Sequence, residues 1–436
     1  LVTIHLGGAL EIKHGVGGEC SADEQSGWDC YDSSNWGDSR MIIMISLCLL
    51  VVLALGAVEK KRHLENVHSI PIRVNINGIR GKSTVTRLTT GVLKEANKKT
   101  VGKTTGTSAR MMYWFQDEEK PIKRRPEGPN IREQKEVVKE AADLGAEALV
   151  SECMAVNPDY QVIFQKEMLQ ANIGVIVNVL EDHMDVMGPT LDEVAEAFTA
   201  TIPYNGHVIV SESPYVDYYR EVADKRNTQV IVADESKISE EFLRKFEYMV
   251  FPQNAALTLA VAEALGIDEE TAKQGMLHAP PDPGAMRISH FGDPDQPSYF
   301  VNGFAANDAS STLNIWERIK KLDYPTGNAV VIMNCREDRV DRTEQFAVDV
   351  LPFIEMKALV LIGETTSPIV DEYEKGSIQA EKLLNLEGYE TEEIFNSLRP
   401  YLVNTVVYGV GNIHGAGEPL IERFEEEKEK YLEHVS

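Results

Sequence analysis

Hydrophobic and polar positions divide this chain into a front end with one long apolar run and a body that alternates apolar strands with amphipathic helices. Residues 42–58 carry no charge, follow Met41, and are closed by Glu59, Lys60, Lys61 and Arg62. That length sits near the lower limit for crossing a hydrocarbon core of about 30 Å. Basic residues on the C-terminal flank favour keeping that side in the cytoplasm. A cleaved signal peptide would carry its basic residues ahead of the apolar run, so the pattern predicts a single-pass membrane anchor over residues 41–59 with the catalytic domains that follow it cytoplasmic. Residues 1–40 are rich in Gly, Ser, Asp and Trp, show no sustained period, and read as a non-native or mis-called extension outside the fold.

From residue 69 onward the periodicity changes. Residues 71–76 read as a short strand, and the stretch from Ser83 reads as a helix with Val85, Leu88, Val92 and Leu93 on one stripe. Residues 147–152 and 173–179 are near-continuous apolar runs, as expected of parallel strands covered on both faces. A helical pair over 255–265 and 269–277 precedes the string 279–284, whose prolines can neither continue a helix nor donate to a sheet. Beyond that linker, strands at 329–333, 358–362 and 405–408 alternate with helical stretches. The predicted fold class is α/β, with a central parallel-sheet domain over residues 69–280 and a smaller C-terminal α/β domain over residues 288–436. Residues 409–414 lack the third glycine of GxGxxG and are read as a strand-to-helix turn rather than a dinucleotide fingerprint.

Composition narrows the options. At 436 residues the chain exceeds what a single core usually serves. A formal charge of −26 repels nucleic-acid phosphates over most of the surface, so no nucleic-acid partner is expected. Lys120, Lys123, Arg124 and Arg125 form a local basic cluster that suits either an anionic substrate or a solvated loop. Cys20, Cys30, Cys48, Cys153 and Cys335 show no CxxC pair and no metal-finger spacing, so structural disulfides are not expected.

Candidate chemistry starts where the first strand of the body meets its helix, at Asn77-Gly78-Ile79-Arg80-Gly81-Lys82-Ser83-Thr84. Glycines let backbone amides turn toward a phosphate, and the helix start adds the positive end of its dipole. Lys82 can reach terminal phosphates and Ser83 can hold magnesium. The long pattern GxxxxGK[ST] asks for glycine where this chain has Ile76; the short form GxxGK[ST] is present instead. Glu152 lies near the tip of its strand, the edge of a parallel sheet where ligands gather. The next strand empties into Leu180-Glu181-Asp182-His183-Met184-Asp185, and carboxylates plus an imidazole there suit a hard cation bridging phosphate oxygens. Residues 335–342 suit contact with nucleotide or a carboxylate substrate, or equally a surface ion-pair loop.

Together with Gly102-Lys103-Thr104-Thr105-Gly106-Thr107, Glu152-Cys153-Met154-Ala155-Val156-Asn157-Pro158 and Asn302-Gly303-Phe304-Ala305-Ala306-Asn307-Asp308, these strings resemble the Mur ligase superfamily. That superfamily includes the peptidoglycan precursor ligases and folylpolyglutamate synthetase. Within it the similarity is to the ligase subunits of poly-γ-glutamate synthases, the capsule-polymer enzymes of bacilli, and it runs from about Met41 to the C-terminus. The resemblance implies an ATP-dependent amide ligase that polymerises glutamate through an acyl phosphate, with ATP and Mg2+, or Mn2+ in its place. It implies Lys82 on the β- and γ-phosphates, Ser83 on magnesium, Glu152 and His183 at a second magnesium, and Asn254 on adenine. Arg287 matches an arginine between the central and C-terminal domains, and Gly78, Gly81 and Thr84 complete the nucleotide loop. Lys82, Glu152 and His183 are thus the expected catalytic set, and Ser83, Glu152 and His183 the expected metal set. One helix is too little to make a pore, so membrane subunits of a synthase and export complex are expected partners, beside glutamate and the growing polymer. Assembly into a homo-oligomer stays open.

Two departures from the family pattern stand out. Many Mur ligases carry a carbamylated lysine on the helix after the Asp-His-Met-Asp element, but no lysine occurs here between Lys166 and Lys225. Water or Glu196 is left to complete the second metal site. The family's Asp-x-Ala-His-Asn-Pro motif is present only as residues 302–307, with uncharged Asn302 in place of the acid. The loop alone is also compatible with an ATPase energising polymer export, a phosphotransferase, a nucleotide-binding scaffold, or a Mur-type ligase for another amino acid. Arg110, Arg124, Arg125 and Arg132 are candidate carboxylate binders by charge.

Overall fold

The structure is a computed structural model describing residues 34–105, 109–123, 130–246, 248–282, 286–306, 308–322 and 324–435. Gly106, Thr107, Arg124, Arg125, Pro283, Gly284, Asn307 and residues 1–33 of the front extension, with Cys20 and Cys30, lie outside the described residues. Two compact units are present, residues 1–61 and 62–436. The helix Ser34–Ser69, which begins in the first, starts ahead of the expected Met41, and its large apolar side chains between Met41 and Val58 are exposed. Residues 40–69 are long and apolar enough to cross a membrane, by length and composition.

The second unit opens its first sheet with eight strands: β1 (Ile72–Asn77), β2 (Thr100–Lys103), β3 (Arg110–Tyr113), β4 (Gln116–Pro121), β5 (Ala148–Glu152), β6 (Ile173–Ile176), β7 (His207–Val210) and β8 (Gln229–Val232). Their order is β4-β3-β2-β5-β1-β6-β7-β8, parallel throughout except for the antiparallel β2-β3-β4 edge. Period-two alternation orients β1: Val74 and Ile76 join an apolar core with Val85, Leu88 and Val92 of the Lys82–Glu95 helix. Asn75 and Asn77 are buried in hydrogen bonds to other side chains, Asn75 to Gln165 and Asn77 to Gln161 and Thr201. The register sets Ile76 beside Glu152, so the strand end that starts the glycine loop lies level with this carboxylate. The third expected strand, 173–179, stops at Ile176, and Asn178 beyond it turns its side chain to bond the loop.

The helix Lys82–Glu95 crosses the helix Glu269–Leu277 at two glycines. A Cβ on Gly91 would stand 2.3 Å from the Gly275 carbonyl, and one on Gly275 would stand 2.5 Å from the Val92 Cα. Only hydrogen at both positions permits this backbone-to-backbone approach. The other helix of the expected pair is Pro252–Ala264, with Phe251 at the N-cap and proline in its first turn. Asn254 therefore sits inside that turn and is not the helix cap.

A second sheet follows the linker, built from β9 (Ile288–Asp293), β10 (Gln296–Asn302), β11 (Val330–Cys335), β12 (Met356–Gly363), β13 (Ala380–Asn385) and β14 (Val406–Gly411). Its order is β13-β12-β11-β14-β10-β9, with only β9 antiparallel. The central strands bury alternate residues in two different cores, Val331 and Met333 in one and Val330 and Ile332 in the other, as covered parallel strands must. Of the string 409–414 expected as a strand-to-helix turn, residues 409–411 still belong to β14, and the turn into the helix Gly417–Val435 spans residues 412–416. Arg87, 1% exposed, ties the loop's helix to Glu119 of β4 and, at 3.3 Å, to Asp282 of the linker.

Gly275→Val should lower stability by roughly 1–3 kcal/mol or more through overpacking at the crossing, read as a reduced urea midpoint. The same substitution at Gly266, where nothing lies within 4 Å of an added Cβ, would report only its left-handed backbone (φ 69°).

Candidate functional site

The glycine loop is shaped by two positive-φ residues, Gly78 at 130° and Gly81 at 86°. Gly78 has no room for a side chain, since its Cβ would meet the Val177 and Asn178 amides at 3.0 Å. Asn178 then clamps the loop: its Oδ1 accepts from the Ile79 and Arg80 amides at 3.1 and 3.0 Å, and its Nδ2 donates to the Arg80 carbonyl at 3.0 Å. Lys82 folds back over the loop and donates to the Gly78 and Ile79 carbonyls at 2.8 and 3.0 Å. Burial pushes its ammonium below the ordinary lysine range, and the nearby Glu152 carboxylate opposes that shift. Asn254 packs on the loop from its own helix, its Oδ1 lying 2.7 Å from where a Gly81 Cβ would be.

Glu152 is buried at the tip of β5 and accepts three hydrogen bonds. Ser83 Oγ donates to Oε2 at 3.0 Å, the Thr105 amide to Oε2 at 2.9 Å, and Thr105 Oγ1 to Oε1 at 2.8 Å. Thr105 follows β2, so a carboxylate, a loop hydroxyl and a second strand end converge. Their oxygens are the hard donor type that magnesium takes. The acidic string after β6 folds otherwise. His183 adopts a left-handed backbone (φ 52°), its amide donates to Asp182 Oδ1, and its ring stays about half exposed. Among the described residues no three His, Cys, Asp or Glu side chains group as a metal site.

A cavity of about 430 Å³ adjoins the loop and is lined by Gly78, Lys82, Thr105, Met154, Gln161 and His183 among others. The geometry thus brings together Gly78, Gly81, Lys82, Ser83, Glu152 and Asn254, and places His183 on the same cavity. Thr84 sits in the first turn of the loop's helix. Arg287 lies outside that cavity, bridged backbone to backbone with Tyr248 just before β9. Glu196 lines a different cavity with Asp159, Lys166 and Arg226. Asn302 ends β10 with its side-chain oxygen buried and unpartnered. Sequence reasoning missed Asn178 and the double donation by Thr105. It also missed Arg80, which reaches Asp182 at 3.5 Å and Asp308, the cap of the Ala309–Lys321 helix, at 3.4 Å.

Against known proteins, residues 76–267 match the Mur ligase middle domain and residues 288–427 match the poly-gamma-glutamate synthase CapB C-terminal domain. Among solved structures, the MurF ligase of Thermotoga maritima in complex with ADP is similar with a TM-score of 0.55 and 15% identity, over 86% of this chain and 84% of that one. The fold is therefore that of a Mur-type ligase. The capsule biosynthesis protein CapB of Bacillus anthracis is 68% identical over 395 residues, 91% of this chain and 85% of its own length. The PGA synthase CapB of Bacillus subtilis (strain 168) is 67% identical over 392 residues, 90% of this chain and all of its own. The chain belongs to the CapB family of poly-gamma-glutamate synthases and is an ATP-dependent amide ligase.

Burial pushes the Cys153 thiol up to about 11 and the Cys335 thiol up to about 12. At about pH 8 iodoacetamide should therefore leave both unmodified in the folded protein, with both alkylated once urea exposes them, as read by peptide mass spectrometry.

Proposed function

We propose that this ligase polymerises glutamate by activating a chain-end carboxylate with ATP and joining it to the amine of an incoming glutamate. The observation that carries the nucleotide half is the clamped glycine loop, with Lys82 and Ser83 backed by buried Glu152. A carboxylate oxygen attacks the γ-phosphorus, forming the acyl phosphate as the bond to ADP breaks. The amine then attacks the acyl carbon, a C–N bond forms, phosphate leaves, and the nitrogen gives up a proton. Lys82 exchanges its two loop carbonyls for phosphate oxygens and offsets the charge that builds there, a role of positioning and electrostatics. Ser83 and Glu152 would hold a magnesium ion, which neutralises phosphate charge when bound. His183 receives the arriving carboxylate or a second ion at the cavity rim. Asn254, packed under Gly81, contacts the base, and Arg287 acts from the junction before the 288–436 domain.

The relatives' names, capsule biosynthesis protein and PGA synthase, support a glutamate polymer as product. The exposed apolar helix supports a single-pass anchor with residues 69–280 and 288–436 in the cytoplasm, and hence membrane subunits as partners.

ADP release should require glutamate, and hydroxylamine should trap the activated carboxylate as a hydroxamate. Lys82→Ala should lower turnover by about 100-fold or more. Glu152→Gln, which sets an amide against three donors, should raise the magnesium concentration needed for half-maximal rate. Glutamate-independent turnover with no hydroxamate would sink this reading.

A further inference from the structure

A directed chain of buried amides runs beneath the phosphate loop. The Gly78 amide donates to Asn77 Oδ1 at 2.9 Å, Asn77 Nδ2 donates to Gln161 Oε1 at 2.8 Å, and Gln161 Nε2 donates to the Val156 carbonyl at 3.0 Å. A branch runs from Asn77 Nδ2 to Thr201 Oγ1 at 3.0 Å. Asn77 and Gln161 are 2% and 1% exposed, so the bond between their side chains is shielded from solvent. The backbone ends set the direction. Gly78 N–H can only donate and the Val156 carbonyl can only accept, so one orientation of each side-chain amide satisfies the whole chain.

Both ends of this chain are walls of one cavity. Asn77, Gly78 and Lys82 form the nucleotide side, and Met154, Ala155 and Val156, which follow Glu152, form the other. Gln161 belongs to the helix Pro158–Ile163, which Asn157 caps through the Asp159 amide, so its anchor is built into the same segment. Buried amides in series polarise one another, and losing one strands the next. The chain starts at Gly78, whose φ of 130° is a backbone turn that glycine adopts readily.

We infer that Asn77 and Gln161 are positioning residues of the ligase, setting the distance between the phosphate loop and the wall after Glu152 across which the phosphoryl group is transferred. The inference rests on the ligase reading above. Neither residue touches the reacting atoms; each acts through the peptide it holds.

Two variants test it by glutamate-dependent ADP release on the full chain. Gln161→Met keeps side-chain length but leaves the Val156 carbonyl without this donor and Asn77 Nδ2 with Thr201 alone. It should lower kcat by about tenfold or more with a smaller change in KM for ATP. Gln161→Glu can mimic the amide only when protonated, accepting from Asn77 and donating to Val156. Burial raises that carboxyl's pKa, so the working form is present at low pH and is lost as pH rises through the raised value. Its rate should therefore approach wild type near about pH 6 and fall about tenfold relative to wild type by about pH 8.5. Wild-type kcat and KM in Gln161→Met, a Gln161→Glu profile parallel to wild type, or activity loss that merely tracks loss of folded protein by circular dichroism would each overturn the inference. Absence of glutamate-dependent turnover in the wild type would instead overturn the ligase reading itself.

Discussion

Glu152 is a charge taken out of water, and burying it is costly unless hydrogen bonds replace the lost hydration. Ser83 and Thr105 supply them, the latter through both its amide and its hydroxyl. That requirement draws three chain segments to one point: the tip of β5, the first turn of the helix after the glycine loop, and the residues after β2. The parallel register of β1 with β5 and of β5 with β2 is what delivers them there. Lys82 then lies close enough to feel this carboxylate, which opposes the effect of its own burial. The helix that follows the glycine loop is therefore tied, through Ser83, to the contacts that make the acid tolerable.

Charge also spans the passage from the first sheet to the second, in two different settings. Arg87 and Arg318 are almost fully buried and bound to carboxylates, Arg87 to Glu119 and Asp282, Arg318 to Glu240 at 2.5 Å. Breaking such a pair leaves a stranded charge, so these contacts resist opening. Arg80 is about half exposed and reaches Asp182 and Asp308 at 3.4–3.5 Å, a contact of the kind that water and salt weaken readily. Firm joints therefore lie away from the cavity, and the weak one lies on the loop itself.

Much of this was legible in the chain. Short apolar runs marked β1 and the buried strands, the glycines and Lys82 marked the loop, and the prolines of 279–284 marked the passage between sheets. Contacts set by topology were not. Asn178 follows β6 and clamps Ile79 and Arg80 from roughly one hundred residues away, and nothing in its local sequence distinguishes it from a loop asparagine. Gln161 is similarly silent, because a glutamine on a short helix reads as surface until the sheet places Asn77 beneath it. The acidic string around His183 shows the converse. Its composition suggests a compact ligand group, but the left-handed turn at His183 holds the ring half open to solvent. Arg287 and Glu196 were placed by pattern alone, and the fold puts both outside the cavity of Lys82.

The glycine crossing at Gly91 and Gly275 has a mechanical meaning. Helices separated by side chains can slide or roll as rotamers adjust, whereas two backbones in direct contact have no such soft layer between them. The Lys82–Glu95 helix begins at the phosphate loop, and the Glu269–Leu277 helix ends just before the linker to the second sheet. The close crossing therefore packs the helix that starts at the glycine loop directly on the helix that leads towards the linker.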